Sequence, residues 1–306
     1  MVEDELRLSD PSGVSIIILT YNGANHLDRF FTTFFAQNSY SPVEFIIIDH
    51  ASTDNTADIV QQYASNSFMH YIRRDSNYTY AASNNMAAQE ALYSNLLLVN
   101  NDIIYTADIL PLALSYLTDP SIGAVGVRLD DFVDGSRGEK PQRVQHAGVT
   151  FVWDEKSDFF RPTQIRYESV EALTADGASN GIYPAVTAAF LLCNKQDFFA
   201  VGGFCEEYDY GFEDIDFCLK LAIELDKKCF CINEVALQHL EGATRKKVDP
   251  EVKKKRHAHN DAIFRRRMGQ KVKELMDLGK LAGDFFNNAY LNDVREDLMR
   301  YEQHIY

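Results

Sequence analysis

Two stretches of this chain carry side chains capable of chemistry at places a fold could use. Residues 95–102 read NLLLVNND, an apolar run that stops at Asn100, Asn101 and Asp102. Leu96, Leu97, Leu98 and Val99 fit a short strand covered on both faces, because a half-exposed strand would alternate polar and apolar residues. Asp102 then falls just past the strand's C-terminal end. Ligands bind at that edge in open α/β sheets, and a carboxylate there can hold a divalent cation against a phosphate. Asn and Asp also favour turns, so a solvated loop competes as the reading of these three residues by themselves. Residues 211–216 read GFEDID and run into the helix-like 217–225. Glu213, Asp214 and Asp216 at a helix start complement the helix dipole, which alone would account for them.

The elements that must position these groups show as alternating signals in the N-terminal half. Residues 14–19 (VSIIIL) are a β-branched run ending at Thr20, Tyr21, Asn22 and Gly23, which reads as a buried strand entering a loop. Asn25 is placed to cap a helix over 27–35, whose aromatic residues would cover the sheet. Residues 43–48 repeat the strand and end at Asp49, His50, Ala51 and Ser52. Asp54 is placed to cap a helix over 55–64, with Ile59, Val60 and Tyr63 on one face. A strand over 68–72, a helix over 81–93 and the strand 95–99 complete the series. Strand alternating with helix at this spacing predicts an α/β fold, a mainly parallel sheet flanked by helices with right-handed crossovers. No GxGxxG or P-loop pattern opens any helix.

Further along, 134–138 (DGSRG) reads as a turn, 144–152 alternates enough for a hairpin, and 176–183, with Gly177 and Gly181, reads as a mobile loop. Residues 250–267 read as a helix. Val272, Leu275, Met276, Leu281 and Phe285, then Val294, Leu298 and Tyr301, recur near helical spacing, which predicts a helical C-terminal appendage over 246–306.

At 46% apolar and 12% aromatic, the 306 residues can bury a large core. No apolar run approaches the roughly 20 residues that span a bilayer, and the acidic first ten residues are unlike a signal peptide, so a cytoplasmic location is the expectation. Five cysteines without CxxC spacing read as reduced thiols, with Cys229 and Cys231 facing inward on a strand. The formal charge of −15 is uneven: 245–271 holds 11 Lys or Arg against Asp249, Glu251 and Asp261. A solvated helix face, contact with an anionic membrane surface and a diphosphate-bearing acceptor all fit that segment. Phe264 is its one aromatic, so no nucleic-acid partner is expected.

Four ordered stretches now carry a resemblance. Residues 14–23 (VSIIILTYNG), 45–56 (FIIIDHASTDNT), 77–88 (NYTYAASNNMAA) and 96–102 (LLLVNND) resemble the nucleotide-sugar half of family 2 glycosyltransferases. Residues 201–220 (VGGFCEEYDYGFEDIDFCLK), with His239, resemble the acceptor half. The resemblance implies a GT-A (Rossmann-like) catalytic domain over 1–245, with its nucleotide-sugar half at about 14–127, its acceptor half at about 128–245, and 246–306 as the appendage. It implies that Thr20, Tyr21, Asn22, Asp49, Asn85, Asn100 and Asn101 line the nucleotide pocket. It also implies that Asp102 and His239 bind Mn2+ or Mg2+, and that Asp214, beside Glu213, is the general base of an inverting transfer. A metal at Asp102 would stabilise the diphosphate leaving group more in the transition state than in the ground state. For His239 a satisfied structural histidine is the competing reading. By family frequency the donor is a UDP-sugar. The acceptor is a glycan or glycolipid hydroxyl of the bacterial polysaccharide or O-antigen type, with peripheral contact at the inner membrane face through 245–271 and a homodimer through the C-terminal helices as further expectations. Gly202, Gly203 and Gly211 bracket Phe204, Tyr208, Tyr210 and Phe212, suited to a tight loop that stacks on sugar rings or to core packing. Trp153 carries the same two alternatives.

Three residues depart from the family pattern. Asn100 stands where many relatives carry the first Asp of a DxD motif, which leaves Asp102 as the only carboxylate there and predicts weaker metal binding. His50 replaces an Asp or Asn beside Asp49, and Thr79 replaces a common Gly. Arg73 and Arg74 lie near the expected diphosphate path, as phosphate partners or surface charges. Asn100 and His50 motivate the alternative of a catalytically degenerate binding or scaffold protein. A sugar nucleotidyltransferase would need a Gly-rich, Lys- or Arg-containing loop that does not follow Leu19.

Overall fold

The computed structural model describes residues 10–132, 143–154, 158–209, 211–240 and 249–277. The turn read over 134–138, Tyr210, the first residues of the basic segment, and Leu281, Phe285, Val294, Leu298 and Tyr301 of the appendage lie outside the described residues. In chain order the elements are β1 (Asp10–Thr20), α1 (Ala24–Gln37), β2 (Val43–Asp49), α2 (Thr56–Tyr63), β3 (Phe68–Arg73), α3 (Tyr80–Glu90), β4 (Tyr93–Asn100), β5 (Ile103–Ile104), α4 (Leu110–Leu117) and β6 (Ile122–Asp131). They continue with β7 (Val144–His146), β8 (Val149–Asp154), β9 (Phe159–Gln164), α5 (Val170–Ala175), β10 (Gly181–Tyr183), β11 (Phe190–Asn194), α6 (Lys195–Ala200), α7 (Glu213–Leu225), β12 (Lys228–His239) and α8 (Pro250–Asp277).

One large sheet runs in the order β10, β12, β6, β11, β4, β1, β2, β3, with β5 beside β12 and β7 beside β6; β8 and β9 form a separate pair. The block β3, β2, β1, β4 is parallel, as the strand and helix alternation requires. β11 then runs antiparallel between β4 and β6, and β12 is parallel to β6. Ile16, Ile17, Ile18, Ile46, Ile47, Ile48, Leu96, Leu97 and Leu98 are all fully buried, because helices cover both faces. Phe30, Phe31 and Phe34 of α1 cover one face, where Phe34 meets Phe45 edge to face at 5.1 Å. On the other face α3 presents Ala87 and Ala88, small enough to bring the helix close.

Several element boundaries differ from those read in the sequence, each for a local reason. The Gly23 carbonyl accepts from the backbone N–H of His26 (3.0 Å) and of Leu27 (2.9 Å), so α1 begins at Ala24 and Asn25 lies inside its first turn instead of capping it. Asp54 does cap, and twice: Oδ1 accepts from Thr56 N and Oδ2 from Ala24 N, both at 3.1 Å, so one carboxylate serves the first turns of α2 and α1. α3 stops at Glu90, because the buried Glu44 carboxylate accepts from Leu92 N and Ser15 Oγ accepts from Tyr93 N, turning the chain into β4. Residues 144–152 do not form one hairpin. β7 joins β6 while β8 pairs with β9, and Gly148 turns between them at φ +108°, where a Cβ would lie 2.3 Å from the Tyr183 ring. The loop expected over 176–183 is fastened. Asn180 Oδ1 accepts from Asn233 N (2.7 Å) and Glu234 N (3.0 Å), and β10 pairs with β12.

α8 extends beyond the expected 250–267 and packs Phe264, Met268 and Val272 against the body, with Phe264 stacked 5.2 Å from Phe212. All five cysteines are buried free thiols. Among the described residues no helix is long and apolar enough to cross a membrane.

Candidate active site

β1 and β2 end side by side, Thr20 opposite Asp49, and the loops beyond them are tied together. Asn22, in the left-handed region at φ 48°, accepts at Oδ1 from Thr53 N (2.7 Å) and donates its own N–H to Ser52 Oγ (2.8 Å). Ser52 N in turn donates to Asp49 Oδ1 at 2.9 Å. Just past β4, Asn101 Nδ2 donates to Thr20 Oγ1 at 3.0 Å. Gly23 is required here, since a Cβ would lie 2.3 Å from Thr20 Oγ1. Thr20, Asn22, Asp49 and Asn101 are thus brought together, with Tyr21 exposed beside them.

Asp49 is buried, and its carboxylate is filled by the protein: Ser52 N–H and hydroxyl on Oδ1, Arg73 Nη1 (2.9 Å) and the Tyr71 hydroxyl on Oδ2. A ribose hydroxyl would have to exchange with one of these donors. Burial, reinforced by the bond to Asp49, pushes the Tyr71 phenol up to about 12. Arg73 is therefore paired, and Arg74 lies 3.8 Å over the Tyr78 ring. The departures have structural uses. His50 Nε2 meets Ser83 Oγ at 2.8 Å, tying β2 to α3, and Thr79 caps α3 by accepting from Ala82 N. Burial lowers the His50 pKa.

Asn85 is elsewhere. Its Nδ2 donates to the Phe204 carbonyl (2.9 Å) and Glu206 Oε1 (2.8 Å), and its Oδ1 accepts from Phe204 N (2.8 Å). It braces the glycine loop instead of joining the strand-end cluster. That loop needs Gly203 at φ +63°, where a Cβ would lie 2.6 Å from Asn85 Oδ1.

At the end of β4, Asp102 Oδ1 lies 3.1 Å from His239 Nε2 on β12, and both side chains are largely buried. β5, absent from the sequence reading, holds them in register: Ile103 pairs with His239, and Leu240 N donates to the Asp102 carbonyl. Asn100 Nδ2 reaches His239 Nε2 at 3.4 Å, a long contact. Burial would raise the Asp102 pKa, but the hydrogen bond and charge of His239, with His26 of α1 contributing, hold it below the usual carboxylate range. His239 Nδ1 meets Gln145 Oε1 at 3.0 Å, which leaves Nε2 to face the carboxylate. One carboxylate oxygen, one imidazole nitrogen and a nearby amide suit a divalent cation. Among the described residues no three His, Cys, Asp or Glu side chains converge, so this pair would leave most coordination positions to diphosphate and water.

Asp214 opens α7, whose entry is set by Phe212 in the left-handed region at φ 73°. The residue keeps some exposure while its carboxylate lies deep. Ala188 N donates to Oδ2 at 3.0 Å and Ile215 N to Oδ1 at 2.9 Å. Burial raises its pKa, against those two N–H groups and the Thr187 hydroxyl. The neighbouring residue closes the geometry: the Ala189 carbonyl accepts from Asn100 N at 3.1 Å. One short stretch before β11 therefore links the Asp214 carboxylate to the strand end that carries Asp102. Glu213 is buried beside it.

The aromatic residues of the glycine loop divide. Phe204 and Tyr208 are core, with the Tyr208 hydroxyl donating to Asp216 Oδ2 at 3.1 Å, whereas Phe212 is half-buried against α8. Trp153 meets Phe160 at 4.8 Å and lines a surface groove with Arg265, Gln270 and Lys273 of α8. Gln145, β5 and the 187–189 turn were not legible in the sequence. Each acts through strand pairing across distant segments, and no motif or spacing marks them.

The model of the family described as Glycosyl transferase family 2 matches residues 15–181. The O-antigen biosynthesis protein RfbC of Myxococcus xanthus is 27% identical over 76% of this chain and 18% of its own length. The chain spans about a fifth of the length of the curated relatives it matches. Among solved structures, a mannosyltransferase of Pyrobaculum calidifontis, in complex with GDP-Man and Mn2+, shares 18% identity at TM-score 0.54 over 78% of this chain and 59% of that one. TarS 1-349 of S. aureus with UDP-GlcNAc shares 16% at TM-score 0.52 over 78% and 63%. At these identities the structural likeness establishes the GT-A fold.

Proposed function

The chain belongs to glycosyl transferase family 2, and on that premise we propose that it transfers a sugar from a nucleoside diphosphate donor to a hydroxyl of a glycan or glycolipid, with inversion. The observation that carries this is the junction at Ala188 and Ala189, which ties Asp214 to the strand end bearing Asp102 and His239. The resemblance to enzymes described with GDP-Man and UDP-GlcNAc supports a nucleotide-sugar donor and leaves the choice between them to experiment.

In this reading the loops after β1 and β2, with Thr20, Tyr21, Asn22, Asp49, Asn100 and Asn101, form the nucleotide pocket. Asn85 is reassigned to bracing the glycine loop. Asp102 and His239 would hold Mn2+ or Mg2+ against the diphosphate. When bound, the cation supplies positive charge where the leaving group gains negative charge. Asp214 accepts the proton of the acceptor hydroxyl as that oxygen bonds to the anomeric carbon and the bond to the diphosphate breaks on the opposite face. Backbone N–H groups hold both carboxylate oxygens, so the base is oriented before substrate arrives, and its raised pKa makes it a better proton acceptor once ionised. Glu213 supports the same acidic turn.

The acceptor by analogy with RfbC is an O-antigen type glycan. Contact with a membrane surface would use the exposed Lys253, Lys255 and Lys271 of α8, because Arg256, Arg265, Arg266 and Arg267 are paired with Asp209, Asp261, Glu207 and Asp216. A homodimer through the C-terminal helices is tested by sedimentation. The test of function is release of UDP or GDP from UDP- and GDP-sugars by the native chain and by Asp214→Asn. Acceptor-dependent release lost in the variant supports the proposal. Equal release by both removes Asp214 as the base, and no release with retained nucleotide binding favours a degenerate binding module.

A further inference from the structure

Resting on the reading that Asp102 and His239 hold the cation, we infer that Gln145 is a positioning residue that fixes which nitrogen of His239 faces it. Gln145 is buried on β7 and reaches across to β12. Its Nε2 donates to Asp131 Oδ1 at 2.6 Å and to the His239 carbonyl at 2.9 Å, two groups that only accept. Asp131 is itself held by Arg143 Nε at 3.0 Å. Reversing the amide would set its oxygen against a carboxylate and a carbonyl, so Oε1 must face the ring. Oε1 lies 3.0 Å from His239 Nδ1 and, as an acceptor, requires the proton on that nitrogen. Nε2, which lies 3.1 Å from Asp102, is then the nitrogen left to a cation.

Without Gln145 the preference reverses. A neutral His239 gains most by placing its one proton on Nε2 and donating it to Asp102, which closes that nitrogen to a metal. Gln145 therefore acts on the cation through His239 and need not touch substrate. It also compensates for Asn100, since a site with one carboxylate depends more on the correct presentation of its imidazole.

The test measures Mn2+ binding by electron paramagnetic resonance, with UDP and then GDP present. It compares the native chain, Gln145→Leu, and the double variant Gln145→Glu with Asp131→Asn. The double variant restores an acceptor to Nδ1 and a donor from position 131, and gives up the bond to the His239 carbonyl. Nitrogen-edited NMR of the metal-free proteins reads whether Nδ1 of His239 carries a proton. Gln145→Leu is expected to lower Mn2+ affinity by about 10- to 100-fold and to leave Nδ1 without its proton, while the swapped pair recovers most of the affinity and keeps the proton on Nδ1. Should Gln145→Leu not fold, the swapped pair alone must retain both properties. Unchanged affinity in a folded Gln145→Leu, an Nδ1 proton in both proteins, or equal loss in the swapped pair overturns the inference. No Mn2+ uptake by the native chain with either nucleotide overturns the cation reading, and this inference with it, even with the tautomer as expected.

Discussion

At the scale of single residues, Asp214 carries the clearest consequences. Replacing it with Asn keeps the shape and removes the proposed proton acceptor, so kcat should fall by about 10²- to 10⁴-fold while donor affinity changes little, as steady-state kinetics would show. Its raised pKa has a definite sign. The base works only when ionised, so kcat should fall with decreasing pH through a value above the roughly 3.9 of an ordinary Asp, and Asp214→Asn should lack that limb. For stability the same shift means that the native state binds this proton more tightly than the unfolded chain. Its contribution is present below the ordinary value and is lost as pH rises through the native one. Asp102 is the opposite case. Its lowered pKa gives a contribution present above the ordinary value and lost as pH falls through the native one.

Among the elements, α8 does more than the amphipathic pattern of its sequence suggests. Arg267 pairs with the fully buried Asp216 through Nε at 2.8 Å and Nη2 at 3.3 Å, while Asn260 accepts from Asp209 N (3.1 Å) and donates to the Gly211 carbonyl (3.3 Å). The loop that delivers Asp214 is thus fastened to a helix far along the chain. Among the described residues, Arg267→Leu leaves Asp216 buried with Tyr208 and the more distant Lys220, and should cost about 2–4 kcal/mol in urea denaturation, the partial exposure of Arg267 keeping it below a fully buried pair. The parallel strands and the polar residues at their ends were readable because fully buried strands are continuous apolar runs, and the polar residues at the end of such a run must lie at the sheet edge. Gln145, Asn85 and Asn180 were not. Their partners are Asp131 and His239, Phe204, and Asn233, and only the pairing of distant strands and loops brings them together. The charge of α8 was readable, but its pairing with Glu207, Asp209 and Asp216 depends on where the helix docks.

For the whole molecule, β5 brings the end of β12 to the end of β4, which β1 and β2 flank and which the turn before β11 also meets, so the groups proposed for donor and acceptor chemistry lie on one edge. The proposed transfer requires this edge to bind a nucleoside diphosphate together with a divalent cation. The most direct measurement is thermal stabilisation by UDP and by GDP, each with and without Mn2+, on the native chain and on Asp102→Ala. A ligand that binds only the folded state adds about 2.7 kcal/mol at a hundredfold excess over its dissociation constant, a readily seen shift in Tm. One diphosphate is expected to stabilise the native chain, more strongly with Mn2+, and the Mn2+-dependent part should disappear in Asp102→Ala. Absence of stabilisation by either nucleotide, or an Mn2+ effect equal in both proteins, would contradict the proposed donor and metal site.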